Sequence, residues 1–81
     1  MSQVKLFTRK VCPNCKTMQA VLNHMLKGDY ETFDIEENQE AHDHVTFAGY
    51  RSVPVVQVGE QLYGFKDIRE MELAIEALKA A

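Results

Sequence analysis

The two cysteines of the chain stand three apart, in Cys12-Pro13-Asn14-Cys15, between an apolar run that ends at Phe7 and a stretch patterned as a helix. Thiols at that spacing and in that place form a redox pair. If a helix begins at Pro13, Cys12 lies where the first helical N–H groups lack intrahelical acceptors and point outward. The aligned peptide dipoles put roughly half a positive charge there, worth about 0.3 to 1 kcal/mol to an exposed anion. Arg9 and Lys10 add to the same field. Thiolates rather than thiols attack disulfides, and such surroundings lower a cysteine pKa from ~8.5 to roughly 3.5 to 7.5. The spacing predicts Cys12 as the exposed nucleophile and Cys15, one helical turn inward and shielded, as the sulfur that acts second.

Half of a structural zinc site is the other chemistry open to such a pair. Zinc takes four ligands, and the sequence has no second C-x-x-C. His42 and His44 stand two apart on a predicted helix and point in different directions, so they read, with His24, as solvated surface residues. No metal is expected.

The elements that must hold the pair follow from periodicity. Val4, Leu6, Phe7 and Thr8 form a short strand with nearly continuous apolar residues, the pattern of a strand covered on both faces. Met18, Val21, Leu22, Met25 and Leu26 recur at three- and four-residue spacing, which predicts a helix from Pro13 to about Lys27 with one apolar face. Pro13 suits its first turn and Gly28 its stop. Tyr30, Thr32, Phe33 and Ile35 predict a second strand. Glu36, Glu37 and Glu40 favour the start of a second helix, with Val45 and Phe47 on its apolar side and Gly49 at its end. Val53 to Val58 and Gln61 to Tyr63, joined by Gly59-Glu60, predict an antiparallel hairpin. Ile68, Met71, Ile75 and Leu78 mark a last amphipathic helix with Asp67 as its N-cap. The methionines Met18, Met25 and Met71 read as core fillers, and Glu36, Glu37, Glu40 and Asp43 as a solvated face.

The order β-α-β-α-β-β-α predicts an α/β fold: one mixed four-stranded sheet flanked by three helices, with right-handed parallel crossovers and a final antiparallel hairpin. The chain has 81 residues, 46% of them hydrophobic, which supports one small domain over residues 1–81. With two cysteines and no basic segment followed by an apolar core at its start, the sequence reads as a protein of the reducing cytoplasm. No apolar run approaches the ~20 residues of a membrane span. A net charge of −3 gives no footprint for nucleic acid.

Three stretches together resemble the glutaredoxin branch of the thioredoxin superfamily over nearly the whole chain. They are Phe7-Thr8-Arg9-Lys10-x-Cys12-Pro13-Asn14-Cys15, Gly49-Tyr50-Arg51-Ser52-Val53-Pro54-Val55-Val56, and Gly64-Phe65-Lys66-Asp67. The resemblance implies the thioredoxin fold, thiol-disulfide oxidoreductase activity, and a cis Val53–Pro54 bond facing the cysteines. That bend would offer the Val53 backbone to an extended peptide or thiol substrate, pairing like a strand whatever the side chains. It also implies partner or substrate contacts by Arg9, Lys10, Pro13, Val53, Pro54, Gly64, Phe65 and Lys66, with no bound cofactor beyond the redox-active Cys12-Cys15 disulfide. A [2Fe-2S] cluster shared between two chains, as some glutaredoxins hold, is disfavoured by Pro13.

Two subfamilies compete: glutathione-dependent dithiol glutaredoxins, and NrdH-type redoxins that draw electrons from NADPH through thioredoxin reductase. Typical glutaredoxins open the last helix with a Gly-Gly pair, one more residue and an acidic pair, the first acid of which helps hold the glutathione ammonium. Here Tyr63 replaces the first glycine and Lys66 the first acid, so both departures disfavour glutathione. Gly64-Phe65-Lys66 and Gly49-Tyr50-Arg51 resemble NrdH-type redoxins. The proline of Cys12-Pro13-Asn14-Cys15, and Arg9 in place of a glutathione-binding lysine, look more like a glutaredoxin. On balance the residues favour the NrdH type, a monomeric electron carrier whose expected target, implied by either subfamily, is the disulfide of ribonucleotide reductase. A different class, a non-catalytic module that only docks partners in the same groove, is disfavoured by the presence of both cysteines.

Overall fold

A computed structural model of the chain describes residues 4–64 and 68–80. The elements follow in the order β1 (Val4–Thr8), α1 (Pro13–Leu26), β2 (Glu31–Asp34), α2 (Gln39–Phe47), β3 (Val55–Val58), β4 (Gln61–Gly64) and α3 (Ile68–Ala80). They build one four-stranded sheet in the order β2-β1-β3-β4. β1 runs parallel to β2, with Phe7 opposite Phe33, and antiparallel to β3, with Leu6 opposite Val56. β3 and β4 form the hairpin, in which Val58 faces Gln61 across Gly59-Glu60. Gly59 takes a positive φ of 63°, open to a residue without a Cβ.

Alternation along the two central strands splits the core in two. Val4, Leu6 and Val56 point to one face and pack with Met18 and Leu22 of α1 and with Ala74 and Leu78 of α3. Phe7 and Val55 point to the other and pack with Ala41 and Val45 of α2. β1 therefore buries residues on both sides, which is why it reads as a nearly continuous apolar run.

Several boundaries differ from the sequence expectation. β2 is shorter than Tyr30 to Ile35. Tyr30 instead bonds outward, its hydroxyl donating to Asn23 Oδ1 at 2.8 Å, while Ile35 N–H donates to the Thr8 carbonyl at 2.9 Å. α1 ends at Leu26, and Lys27, not Gly28, is the first residue in the left-handed region, at φ 55°. α2 does not start at the glutamates. Asn38 is its N-cap, and the side-chain oxygen accepts from Ala41 N–H at 3.1 Å, so a local cap decides the start. Phe47 is not on the apolar side but 93% exposed. Two residues turn about 200° around a helix, so Val45 and Phe47 cannot share a face. In α3 the buried positions are Ala74 and Leu78, while Met71 and Ile75 are half-buried. β3 begins at Val55, after the proline, which has no N–H to give to a ladder. The expected cap Asp67 lies outside the described residues. No helix among the described residues is long and apolar enough to cross a membrane.

Candidate active site

The end of β1 delivers the chain to the start of α1, and Pro13 opens that helix at a position where a missing N–H costs nothing. Cys12 is the N-cap, in an extended conformation, and the N–H of Cys15 donates to its sulfur at 3.1 Å. The two sulfurs are joined in a disulfide, with Cα atoms 5.2 Å apart. The sulfur of Cys12 thus occupies the positive end of α1, where the peptide dipoles favour an anion.

Across from it stands the loop between α2 and β3. Val53–Pro54 is a cis peptide bond, and the Val53 carbonyl oxygen lies 3.6 Å from the Cys12 sulfur. In the reduced protein a thiol at Cys12 would have that oxygen as its acceptor. Pro54 is buried, while Arg51 and Ser52 before it are exposed.

Cys12 is not exposed in this state, with 8% of its surface reaching solvent against 3% for Cys15. Its sulfur is bonded to that of Cys15, and the Val53 carbonyl oxygen lies 3.6 Å from it. Its chain neighbours Val11, Pro13 and Asn14 are exposed, so the way to the sulfur passes over them.

Of the two cations placed beside the sulfur by the sequence, Lys10 is engaged elsewhere. Its Nζ pairs with Glu37 Oε1 at 3.0 Å, and its backbone N–H donates to Glu36 Oε1 at 3.4 Å. The Glu37 carboxylate hydrogen-bonded to it holds the Lys10 ammonium above its usual range. Glu36 and Glu37 form part of a turn ahead of α2 rather than of a helix face, and the ion pair ties that turn to the segment leading into Cys12. Arg9 is exposed and has no ion pair or hydrogen bond among the described residues.

Gly64, expected at the partner surface, is instead buried at the end of β4. Its N–H donates to Glu70 Oε1 at 2.8 Å, and a Cβ added to it would come within 2.7 Å of the Tyr50 ring. Tyr63 is half-buried against the core face formed with α1 and α3. Phe65 and Lys66 lie outside the described residues. Three side chains make contacts that the sequence does not display: Glu37 with Lys10, and Glu70 and Tyr50 around Gly64. Glu37 pairs across 27 positions of chain, beyond any local pattern, whereas Tyr50 left one signal, an aromatic side chain in the connection between α2 and β3. Among the described residues no three metal-binding side chains converge.

A disulfide at a helix N-terminus, opposed by a cis-proline loop on a four-stranded mixed sheet, defines a thioredoxin-fold thiol-disulfide oxidoreductase. The glutaredoxin family model matches residues 4–63. The chain belongs to the glutaredoxin family.

Solved structures with the same fold include the thioredoxin-like protein BC3987, at 21% identity and TM-score 0.73, covering 86% of this chain and 96% of that one. The glutaredoxin-like protein NrdH-redoxin from Escherichia coli is similar at 24% identity and TM-score 0.69, over 86% of this chain and 92% of that one. A glutaredoxin from Archaeoglobus fulgidus matches at 23% identity and TM-score 0.67, over 93% and 87%. Comparison with curated proteins returns no match.

Proposed function

We propose that the chain is an NrdH-type electron carrier of the cytoplasm that reduces protein disulfides, ribonucleotide reductase among them, and is itself reduced by NADPH through thioredoxin reductase. The observation that carries the chemistry is the Cys12 sulfur, held between the Cys15 N–H at 3.1 Å and the Val53 carbonyl at 3.6 Å. The first is a donor to a thiolate, so reduction leaves an anion-binding position already formed.

The Cys12 thiolate attacks one sulfur of a target disulfide. The S–S bond of the target breaks, its other sulfur leaves as a thiolate that takes a proton from water, and a mixed disulfide remains on Cys12. Deprotonated Cys15 then attacks the Cys12 sulfur and releases the second target thiol. Two electrons pass from the Cys12/Cys15 dithiol to the target, and thioredoxin reductase returns them from NADPH. An extended target segment would find backbone partners at Val53, a mode of pairing that does not depend on its side chains.

The choice of reductant rests on Tyr63 and Lys66, which stand where a glutathione-binding turn would carry a glycine and an acid. A second reading, a glutathione-dependent glutaredoxin, is favoured by Arg9, an exposed cation beside the disulfide without a partner among the described residues. Two reducing systems separate them. Oxidised protein should be turned over by NADPH with thioredoxin reductase and poorly by NADPH with glutathione and glutathione reductase; the opposite outcome overturns the NrdH reading and leaves the fold untouched. In either system Cys12→Ser should abolish insulin reduction, and Cys15→Ser should accumulate mixed disulfides.

A further inference from the structure

The loop that carries the Val53 carbonyl is fastened at its root through Tyr50, by backbone and by side chain. The backbone N–H of Tyr50 donates to the Val45 carbonyl of α2 at 3.0 Å. Its hydroxyl donates to the Leu62 carbonyl of β4 at 3.1 Å. Its ring covers Gly64, with Cε1 only 2.7 Å from where a Cβ would stand. Glu70, in the first turn of α3, closes the same corner by accepting from Gly64 N–H at 2.8 Å. Tyr50 thus links α2 and β4 and reaches the corner closed by α3, three positions before Val53. Burial, followed by the Glu70 carboxylate beside it, pushes the Tyr50 hydroxyl pKa up, with Tyr63 adding to the shift, so the hydroxyl keeps its proton and remains a donor.

We infer that Tyr50 is a positioning residue for the exchange reaction: by fixing the root of its loop to β4 it sets the height of the Val53 carbonyl over the Cys12 sulfur, and thereby how readily that sulfur ionises. The inference rests on the proposed role of Cys12 as nucleophile. A thiol can donate to the Val53 oxygen, whereas a thiolate meets only the negative end of the carbonyl dipole. The Cys15 N–H acts in the opposite sense and favours the thiolate. Because that N–H is fixed inside α1 and the carbonyl sits on a loop, the position of the loop decides the balance. Gly64 belongs to the same device, since a side chain there would drive the Tyr50 ring away.

Tyr50→Phe keeps the ring and removes the bond to Leu62, and Gly64→Ala displaces the ring from the other side. Both are placed in the Cys15→Ser background, so that alkylation by iodoacetamide reports Cys12 alone, and the rate is followed against pH. The charged groups of the flanking segments, Arg9, the Lys10–Glu37 pair and Lys16 on one side and Arg51 on the other, stay as they are. In both variants the midpoint should move to lower pH, and the rate at about pH 6 should rise about fivefold, the factor carried by an ordinary net hydrogen bond. A titrating parent with an unchanged Tyr50→Phe midpoint, whatever happens to its melting temperature, overturns the positioning role alone. A parent whose Cys12 shows no acid-shifted midpoint overturns the nucleophile assignment as well. Should Gly64→Ala not fold, Tyr50→Phe decides.

Discussion

The two faces of the sheet are covered unequally. On one, α1 and α3 lay Met18, Leu22, Ala74 and Leu78 over Val4, Leu6 and Val56. On the other, α2 alone contributes Ala41 and Val45 over Phe7 and Val55. It leaves a groove of about 270 Å³ floored by Lys5, Phe7, Phe33 and Gln57. Polar and aromatic contacts do part of the work there: Phe7 stacks on Phe33 at 5.6 Å, Lys5 Nζ lies 5.9 Å from the Phe33 ring centre, and His44 Nε2 meets Gln57 Oε1 at 2.8 Å. The difference maps onto the two sides of the disulfide. The thick face holds the helix that carries the sulfurs; the thin face feeds the loop that opposes them. The denser packing lies under the helix that carries the sulfurs, and the open groove lies on the side of the opposing loop.

The sharpest way to break this comparison is to remove one side chain from the centre of each face. Leu22→Ala, on the thick face, should cost about 2 to 5 kcal/mol, read as a lower urea midpoint. Val45→Ala, on the thin face, removes less apolar volume beside a groove already open to water, and should cost about 1 to 3 kcal/mol in the same assay. Equal losses would show the two faces to be equally packed. A third test uses Tyr50, which seals the thin face at β4. Its folded pKa lies above the ordinary tyrosine value of 10.0, so the unfolded chain gives up that proton first. The stabilisation is whole below the ordinary value and is lost as pH rises through the raised folded one. Urea midpoints taken across that range should fall in the parent and fall less in Tyr50→Phe. The smallest effect is expected at Phe47, whose 93% exposure leaves it outside the thin-face core. Phe47→Ser should change stability by under about 0.5 kcal/mol, and a larger loss would mean that the thin face extends to the end of α2.

What could be read from sequence was what local pattern controls. The apolar run of β1, the three- and four-residue spacing of Met18 and Leu22, and the two-residue turn at Gly59 each have a signature within a few positions, and the structure carries all three. The cysteine pair and its helix start were equally local. Phe47 lies off the apolar face because two residues turn about 200° around a helix, a geometry that composition does not display, while Asn38, a short polar side chain, sets the start of α2 beyond Glu36 and Glu37. The burial of Cys12 and the commitment of Lys10 to Glu37 depend on segments that meet only after the sheet has formed. The resemblance supplied the cis bond at Val53, which no periodicity could have given.

The N–H of Cys15 that satisfies the first turn of α1 ends on sulfur rather than on a serine or aspartate oxygen. That atom is present with or without its covalent bond to the neighbouring cysteine. Opening the bridge therefore leaves the helix start with its acceptor, now carrying more charge than before. The molecule can shuttle between its two redox forms without unravelling the element that makes the shuttle work.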